Sequence, residues 1–349
     1  TSSSSLIDLG DGADRFAGHV GSDYVYGASG ADTLNGGSGD DSLTGGSGND
    51  SLLGGTGNDV FYIGGTGFGT DIFNGGDGAD SIRLNADMSV SRLLLDRAHL
   101  TSVETLDFSA YDISGTDLGD VIDISGVTRT SSSSVVELGN GADRFTGHVG
   151  DDRADGGSGA DTLNGGSGDD SLTGGEGNDS LLGGSGNDVF YISGTPGADI
   201  FNGGAGADSI RLNGDVSVSR LLLDGAHVTS VETLDFSAYD ISGTEGADVI
   251  DISGVTRTTS SSVIELDIGN DRFVGHRGDD RVEAGVGSDT MIGGGGDDLL
   301  DGEEGVDLVS YASASGGVRV NLAVTTAQVI GGGQGTDTLL AVENLNGSA

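Results

Sequence analysis

Single apolar residues recur along this chain at intervals of nine, set in glycine and acid. Phe16, Val25, Leu34, Leu43, Leu52 and Phe61 each stand two places after an aspartate: Asp14, Asp23, Asp32, Asp41, Asp50 and Asp59. The stretch "GGSGDDSLTGGSGNDSLLGGTGND" from Gly36 to Asp59 gives the unit as G-G-x-G-x-D-x-U-x, with U apolar. A turn of six residues followed by a strand of three exposes two side chains and buries one, which accounts for one dependable apolar position per unit. Two units then make a coil, so that Asp32 lies over Asp14 and Asp41 over Asp23.

A second texture alternates with the first. "SVSRLLLDRAHLTSVETLDFSAYDISG" and "GDVIDISGVTRTSSSSVVELG" are poor in glycine, with apolar centres at Leu93 to Leu95, Leu106 and Phe108, Ile122 and Ile124, and Val136 and Leu138. Strand-length runs at this spacing predict further solenoid rungs. The competing reading is a short helix over "SRLLLDRAHLTSVETL", where Leu93, Leu94, Arg97 and Leu100 partly fit a helical stripe.

Both textures belong to one long duplicated unit. "ADTLNGGSG" at Ala31 returns at Ala160 and "VETLDFSAYDISGT" at Val103 returns at Val231, offsets of 129 and 128 residues. A third, partial copy begins near Thr259 and departs at "VSYASASGGVRVNLA". The expected organisation is therefore 1-130, 131-258 and 259-349. The aspartate series continues through all three: Asp71 and Asp80 close the first, Asp143, Asp152, Asp161, Asp170, Asp179, Asp188, Asp199 and Asp208 form the second, and Asp271, Asp280, Asp289, Asp298 and Asp307 the third. Asp208 reads as the end of a short pair. A Ser-rich seam recurs at the start of each unit, so the chain reads as a piece of a longer protein.

Composition narrows the chemistry. The 349 residues carry a formal net charge of -42, with 69 Gly, one Pro, no Cys and no Trp. Such a chain is not built for nucleic acid or an anionic membrane, no stretch is long and apolar enough to span a bilayer, and no disulfide can staple it. Stacked carboxylates repel by about 1 kcal/mol at ~4 Å even in water, and one apolar side chain per nine residues does not offset the entropy of ordering so much glycine. A bound cation is required. Zn²⁺ is unsuited, because there is no Cys and the five His do not cluster. Ca²⁺ accepts six to eight oxygens, backbone carbonyls included, in flexible geometry, whereas Mg²⁺ prefers to keep its water.

"GGSGDDSLT", "GGSGNDSLL" and "GGTGNDVFY" resemble the repeats-in-toxin (RTX) calcium-binding nonapeptides of hemolysin-type proteins, and the ending after Asp307 looks like a segment that accompanies such arrays. The resemblance implies an all-β fold, a parallel β-roll or right-handed parallel β-helix holding multiple Ca²⁺ ions between successive turns, in proteins exported by type I secretion. It makes all of the aspartates named above candidate metal ligands. Departures stand at His19 and His148, which replace the second Gly of their units, and at Glu283 and Ala284.

The other candidate residues read as structural. His19, His148 and His276 recur in "GH(V/R)G" and read as turn residues rather than a transition-metal site; His99 and His227 read as surface or packing groups. Tyr24, Tyr26, Tyr62 and Tyr191 read as packing rather than a sugar-stacking face, and Arg15, Arg144 and Arg272 as local counter-charges. There is no "GxSxG" elbow and no "HExxH", so no enzyme is expected. The expectation is an elongated solenoid of about nineteen uniform coils, serving as a calcium-dependent structural segment of a secreted bacterial surface protein such as an S-layer, adhesin stalk or extracellular filament. Its expected partners are calcium ions, further copies of itself or a cell-surface polysaccharide, and its expected location is extracellular or at the cell surface. The rival is a secretion and folding appendage of an exported enzyme, a protease, lipase or polysaccharide epimerase.

Overall fold

The computed structural model describes residues 6–64, 69–90, 92–109, 112–130, 135–259 and 263–348. The Ser-rich seams at 1–5, 131–134 and 260–262 lie outside them. Every regular element among the described residues is a strand. The chain divides into two compact units, 1–172 and 173–349.

In the first unit the coils deposit strands alternately on two parallel sheets. One sheet runs Leu6–Asp8, Tyr24–Ser29, Ser42–Ser47, Val60–Ile63, Ser81–Leu84, Thr105–Asp107 and Arg129–Thr130; the other runs Arg15–Ala17, Thr33–Ser38, Ser51–Thr56, Ile72–Asp77 and Leu100–Thr101. The register is in step with the repeat, with Leu34 opposite Leu52 and Val25 opposite Leu43. The U side chains Val25, Leu34, Leu43, Leu52 and Phe61 are buried between the sheets, and Phe61 meets Phe73 edge-on at 5.6 Å between ring centres. Strands of the repeat are six residues long rather than three: G-G-x continues the ladder, Gly37 pairing with Gly55 and Gly46 with Ala28. The turn is correspondingly tighter.

Gly36, Gly37 and Gly39 show why the repeat needs three glycines. A Cβ on Gly36 would overlap the Asp41 carboxylate, while Gly37 and Gly39 have φ of +103° and +123° with backbone of the preceding coil packed against them. The first glycine makes room for an acid; the other two supply left-handed backbone.

The glycine-poor texture changes the faces of the coil. Before the first two sheets end, two new ones begin: Met88–Ser89, Ile113–Ser114, Val136–Glu137 and Arg153–Gly159 in one, Arg92–Leu94, Val121–Asp123, Arg144–Thr146 and Thr162–Ser167 in the other. Between about 81 and 130 the chain visits old and new faces in turn. The separation between ladder-bonded neighbours accordingly widens from 18 residues at Asp14 and Asp32 to 24 at Asp80 and Glu104, so the chain holds fewer coils than a uniform pitch predicts. The helix reading of "SRLLLDRAHLTSVETL" is not realised. Leu93 and Leu95 are both buried, a period of two, and Asp96 Oδ1 then accepts the Ala98 and His99 N–H groups at 2.8 and 3.1 Å, making a turn.

The second unit repeats this hand-over. Val189–Ile192, Ser209–Leu212, Thr233–Asp235 and Arg257–Thr258 end as Val216–Ser217, Ile241–Ser242, Ile264–Glu265, Arg281–Glu283, Leu299–Asp301 and Thr336–Leu340 take over. The divergent ending places an excursion between Leu308–Ser310 and Thr336–Leu340, closed by an antiparallel pairing of Gln328–Val329 with Thr336–Leu340. The chain then rejoins the coil.

Candidate metal centre

The predicted aspartates form ladders along the roll edges. Asp14 donates its backbone N–H to Asp32 Oδ1 at 2.8 Å, Asp32 to Asp50 and Asp50 to Asp71 at the same distance. The opposite edge runs Asp23, Asp41, Asp59, Asp80, with bonds of 2.7 to 2.8 Å. Bonds of the same kind join Asp143 to Asp161, Asp152 to Asp170, Asp179 to Asp199, Asp188 to Asp208, Asp271 to Asp289, Asp280 to Asp298 and Asp289 to Asp307. The change at Ala284 leaves its ladder continuous. An outer, exposed ladder runs with reversed polarity: the N–H of Asn58 bonds Asp40 Oδ1 and that of Ala79 bonds Asn58 Oδ1.

Using Oδ1 in this way leaves the second carboxylate oxygen bare. Oδ2 of Asp14, Asp23, Asp32, Asp41, Asp50, Asp59, Asp80, Asp143, Asp271, Asp289, Asp298 and Asp307 is buried without a hydrogen-bond partner. An unpartnered buried carboxylate oxygen is costly, and its repetition marks a ligand. Backbone oxygens meet it: a Cβ on Gly27 would touch both Asp32 Oδ2 and the Gly45 carbonyl, and one on Gly54 both Asp59 Oδ2 and the Gly75 carbonyl. Among the described residues no three His, Cys, Asp or Glu side chains converge on one point. The donor set is thus carboxylate plus carbonyl oxygen, which suits Ca²⁺ and not a soft metal.

Burial, opposed by the ladder N–H and reinforced by neighbouring carboxylates, pushes the carboxyls of Asp41, Asp50, Asp59 and Asp80 upward. The same balance takes Asp71 and Asp199 to about 7, Asp143 and Asp271 to about 6, and Asp298 to about 8. A divalent ion held at the ladder would favour the charged forms instead.

These features decide the family. A model of the RTX calcium-binding nonapeptide repeat matches residues 8–43, 26–61, 66–87, 135–163, 155–190, 191–215, 266–300 and 274–309, more than half of the chain. The chain belongs to the RTX calcium-binding repeat family. No curated protein matches it significantly. This RTX protein is a calcium-binding repeat protein, and Asp32 with the Gly45 carbonyl, or Asp59 with that of Gly75, are oxygens that would hold the ion.

Several groups fall differently from their sequence reading. His148 and His276 do more than occupy a turn: Nδ1 lies 2.8 Å from Oδ1 of Asp152 and Asp280 respectively, and the backbone N–H bonds Oδ2. Both oxygens of these two aspartates are therefore engaged, while His19 is exposed and lies 3.8 Å from Asp23. The spacing H-x-x-x-D was the available signal. His99 and His227 are half-buried, each with Nδ1 2.7 Å from Asp96 or Asp224. Arg15, Arg144 and Arg272 are exposed and make no ion pair among the described residues; Arg83 and Arg211 do, with Asp107 and Asp235. Tyr24 and Tyr26 flank buried Val25 and point outward, 45% and 40% exposed, because they occupy the x positions of an alternating strand.

The ladders also extend beyond the predicted set. Asp120 and Asp248, in "GDVID" and "ADVID", donate to Asp143 and Asp271 Oδ1 at 2.7 and 2.8 Å, while their own carboxylates are taken by the N–H and hydroxyl of Thr116 and Thr244. At the other end Asp80, Asp208 and Asp307 donate to Glu104, Glu232 and Glu343 at 2.8, 2.8 and 2.9 Å. Asp208 is thus not the end of its ladder. Asp337 accepts from the Asp298 N–H at 3.3 Å and from the Tyr311 hydroxyl at 2.8 Å. All share the acid-x-apolar signature of the repeat; Glu104, Glu232 and Glu343 lack its glycines, Asp120 and Asp248 lack at least the second glycine, and Asp337 ends an intact unit, "GGQGTDTLL", that stands off the nine-residue beat.

Proposed function

We propose that this RTX protein is a calcium-dependent structural segment of a secreted bacterial surface protein, an S-layer, adhesin stalk or extracellular filament. In this reading it has no catalytic role; its work is to hold a defined shape outside the cell, where calcium is plentiful, after export in an unfolded state. The observation that carries the reading is the hand-over, in which two new sheets begin before the old pair ends, so that one roll grows out of another through an apolar joint. The joint occurs twice, about 128 residues apart at Val103 and Val231. An appendage whose task is only to fold an attached enzyme needs one roll, and repetition through built joints is the economy of a scaffold. The full-length gene tests this: further copies of the roll and joint in the flanks are expected, and a catalytic domain adjoining this segment would overturn it in favour of the appendage.

A further inference from the structure

The three ladder ends at Glu104, Glu232 and Glu343 share a geometry that the repeat does not contain. In the ordinary repeat the aspartate follows the first glycine by five positions, as at Gly45 and Asp50. At the ladder ends the residue that pairs beside that glycine is Ser102, Ser230 or Ala341, and the acid follows two positions later. The shortened corner is made by left-handed backbone at these non-glycine residues, with φ of 50°, 52° and 46°. Only six non-glycine residues of the described chain have positive φ, and three of them are these. Such backbone is strained for a residue with a Cβ. What it achieves is placement of a carbonyl: a Cβ on Gly75 would meet Asp80 Oδ2 and the Ser102 carbonyl together, one on Gly203 Asp208 Oδ2 and the Ser230 carbonyl, and one on Gly302 Asp307 Oδ2 and the Ala341 carbonyl. That pairing of oxygens is the one found inside the rolls at Gly27 and Gly54. Asp80 Oδ2 and Asp307 Oδ2 are buried and unpartnered, in residues 1% and 0% exposed.

Glutamate suits the shorter corner. Its extra methylene lets Oε2 reach the aspartate N–H that an aspartate in the next coil would otherwise accept, and Glu104 Oε1 makes no hydrogen bond among the described residues. The third copy arose in a divergent sequence, "AVENL" against "SVETL", yet restores the same left-handed residue, the same carbonyl and the same acid. The opposite ends of the ladders contrast with this: Asp120 and Asp248 have both oxygens satisfied by a threonine, so those ends are closed.

We propose that each roll terminates in a calcium site distinct from the nonapeptide sites, formed by the last ladder aspartate, the carbonyl of a left-handed residue and a glutamate: Asp80, Ser102 and Glu104, with Asp208, Ser230 and Glu232, and Asp307, Ala341 and Glu343 as its counterparts. The proposal rests on the calcium reading of the rolls. The ligand is a hard divalent cation, because every donor is oxygen and one is a backbone carbonyl.

The test is the number of Ca²⁺ ions bound per chain at saturation, counted by equilibrium dialysis with elemental analysis. Glu→Gln keeps the acceptor for the aspartate N–H and removes the charge, so E104Q/E232Q/E343Q is expected to fold in calcium and bind three ions fewer than the parent. E137Q/E265Q/E283Q removes three charges from strand positions away from the ladder ends and is expected to keep the full count. If the first triple variant does not fold, E343Q alone is expected to lose one ion. An unchanged count in the ladder-end variant, or a loss equalled by the control, overturns the terminal sites, whereas a parent chain that binds no calcium would instead refute the reading of the rolls.

Discussion

A roll coil and a hand-over coil from the same unit differ in what closes them. Residues 31–48 bury two large apolar side chains, Leu34 and Leu43, whereas 105–128 bury six among the described residues: Leu106, Phe108, Ile113, Ile122, Ile124 and Val127. The acids differ in the opposite sense. Asp32 and Asp41 carry bare buried oxygens, while Asp120 and Asp123 of the hand-over are bonded by Thr116 and Ser125. A solenoid rung can thus be closed by apolar burial or by an ion, and this chain alternates the two. The hand-over is also where the faces change.

The largest expected difference between the regions is their response to calcium removal. Each site with a dissociation constant of about 0.1 to 1 mM contributes about 1.4 to 2.7 kcal/mol at ~10 mM Ca²⁺, so the four or so sites of one roll supply several kcal/mol. Hydrogen exchange over a calcium titration is expected to show protection of Gly36 to Asp59 rising steeply, with the stretch around Leu106 following at higher calcium or staying lower, since beyond the one proposed ion at Ser102 and Glu104 it gains only through contact with its neighbours. Protection of the Leu106 stretch before any ion binds would make the hand-over an independent folded element.

A smaller effect is expected from pH without calcium. The folded-state carboxyls of Asp71, Asp199, Asp143, Asp271 and Asp298 lie at about 7, 7, 6, 6 and 8, above the ordinary value of 3.8. A raised folded-state value means that the fold favours the protonated acid, so the contribution is complete below the unfolded value and is lost as pH rises through the folded one. In calcium-stripped buffer, where protonation is what relieves the stacked acids, the β signal in circular dichroism is expected to fall between about pH 5 and about pH 8. With saturating Ca²⁺, which holds the charged form, the fall should shrink or reverse. A β signal that grows with pH in calcium-free buffer would contradict the bare-oxygen account of the rolls.

The smallest effects compare single glycines. Gly36→Ala drives a methyl into the Asp41 carboxylate, whereas Gly225, in the turn of the second hand-over, has open space at its Cβ position. In calcium, Gly36→Ala is expected to cost about 1 to 3 kcal/mol and Gly225→Ala to stay within about 0.5 kcal/mol, both by chemical denaturation. Equal costs would mean that the first glycine is there for backbone freedom and not for the acid.

Much of the rolls was legible along the chain. A period of nine with aspartate two places before each apolar residue fixes the pitch, the buried side chain and the stacking of Asp32 over Asp14, because each is a local consequence of strand alternation repeated at constant length. The calcium chemistry followed from the same beat, since charge without a counter-charge cannot stack. Sequence alone could not show that Oδ1 would be spent on a neighbour's N–H while Oδ2 stayed bare, because that depends on the angle at which one coil meets the next. It also could not show the change of faces between about 81 and 130, where neighbours in space lie at uneven distances along the chain and no period survives. Glu104, Glu232, Glu343, Asp120 and Asp248 were hidden for that reason: each joins a ladder only because a coil of irregular length brings it under an aspartate, and tertiary structure alone sets that length.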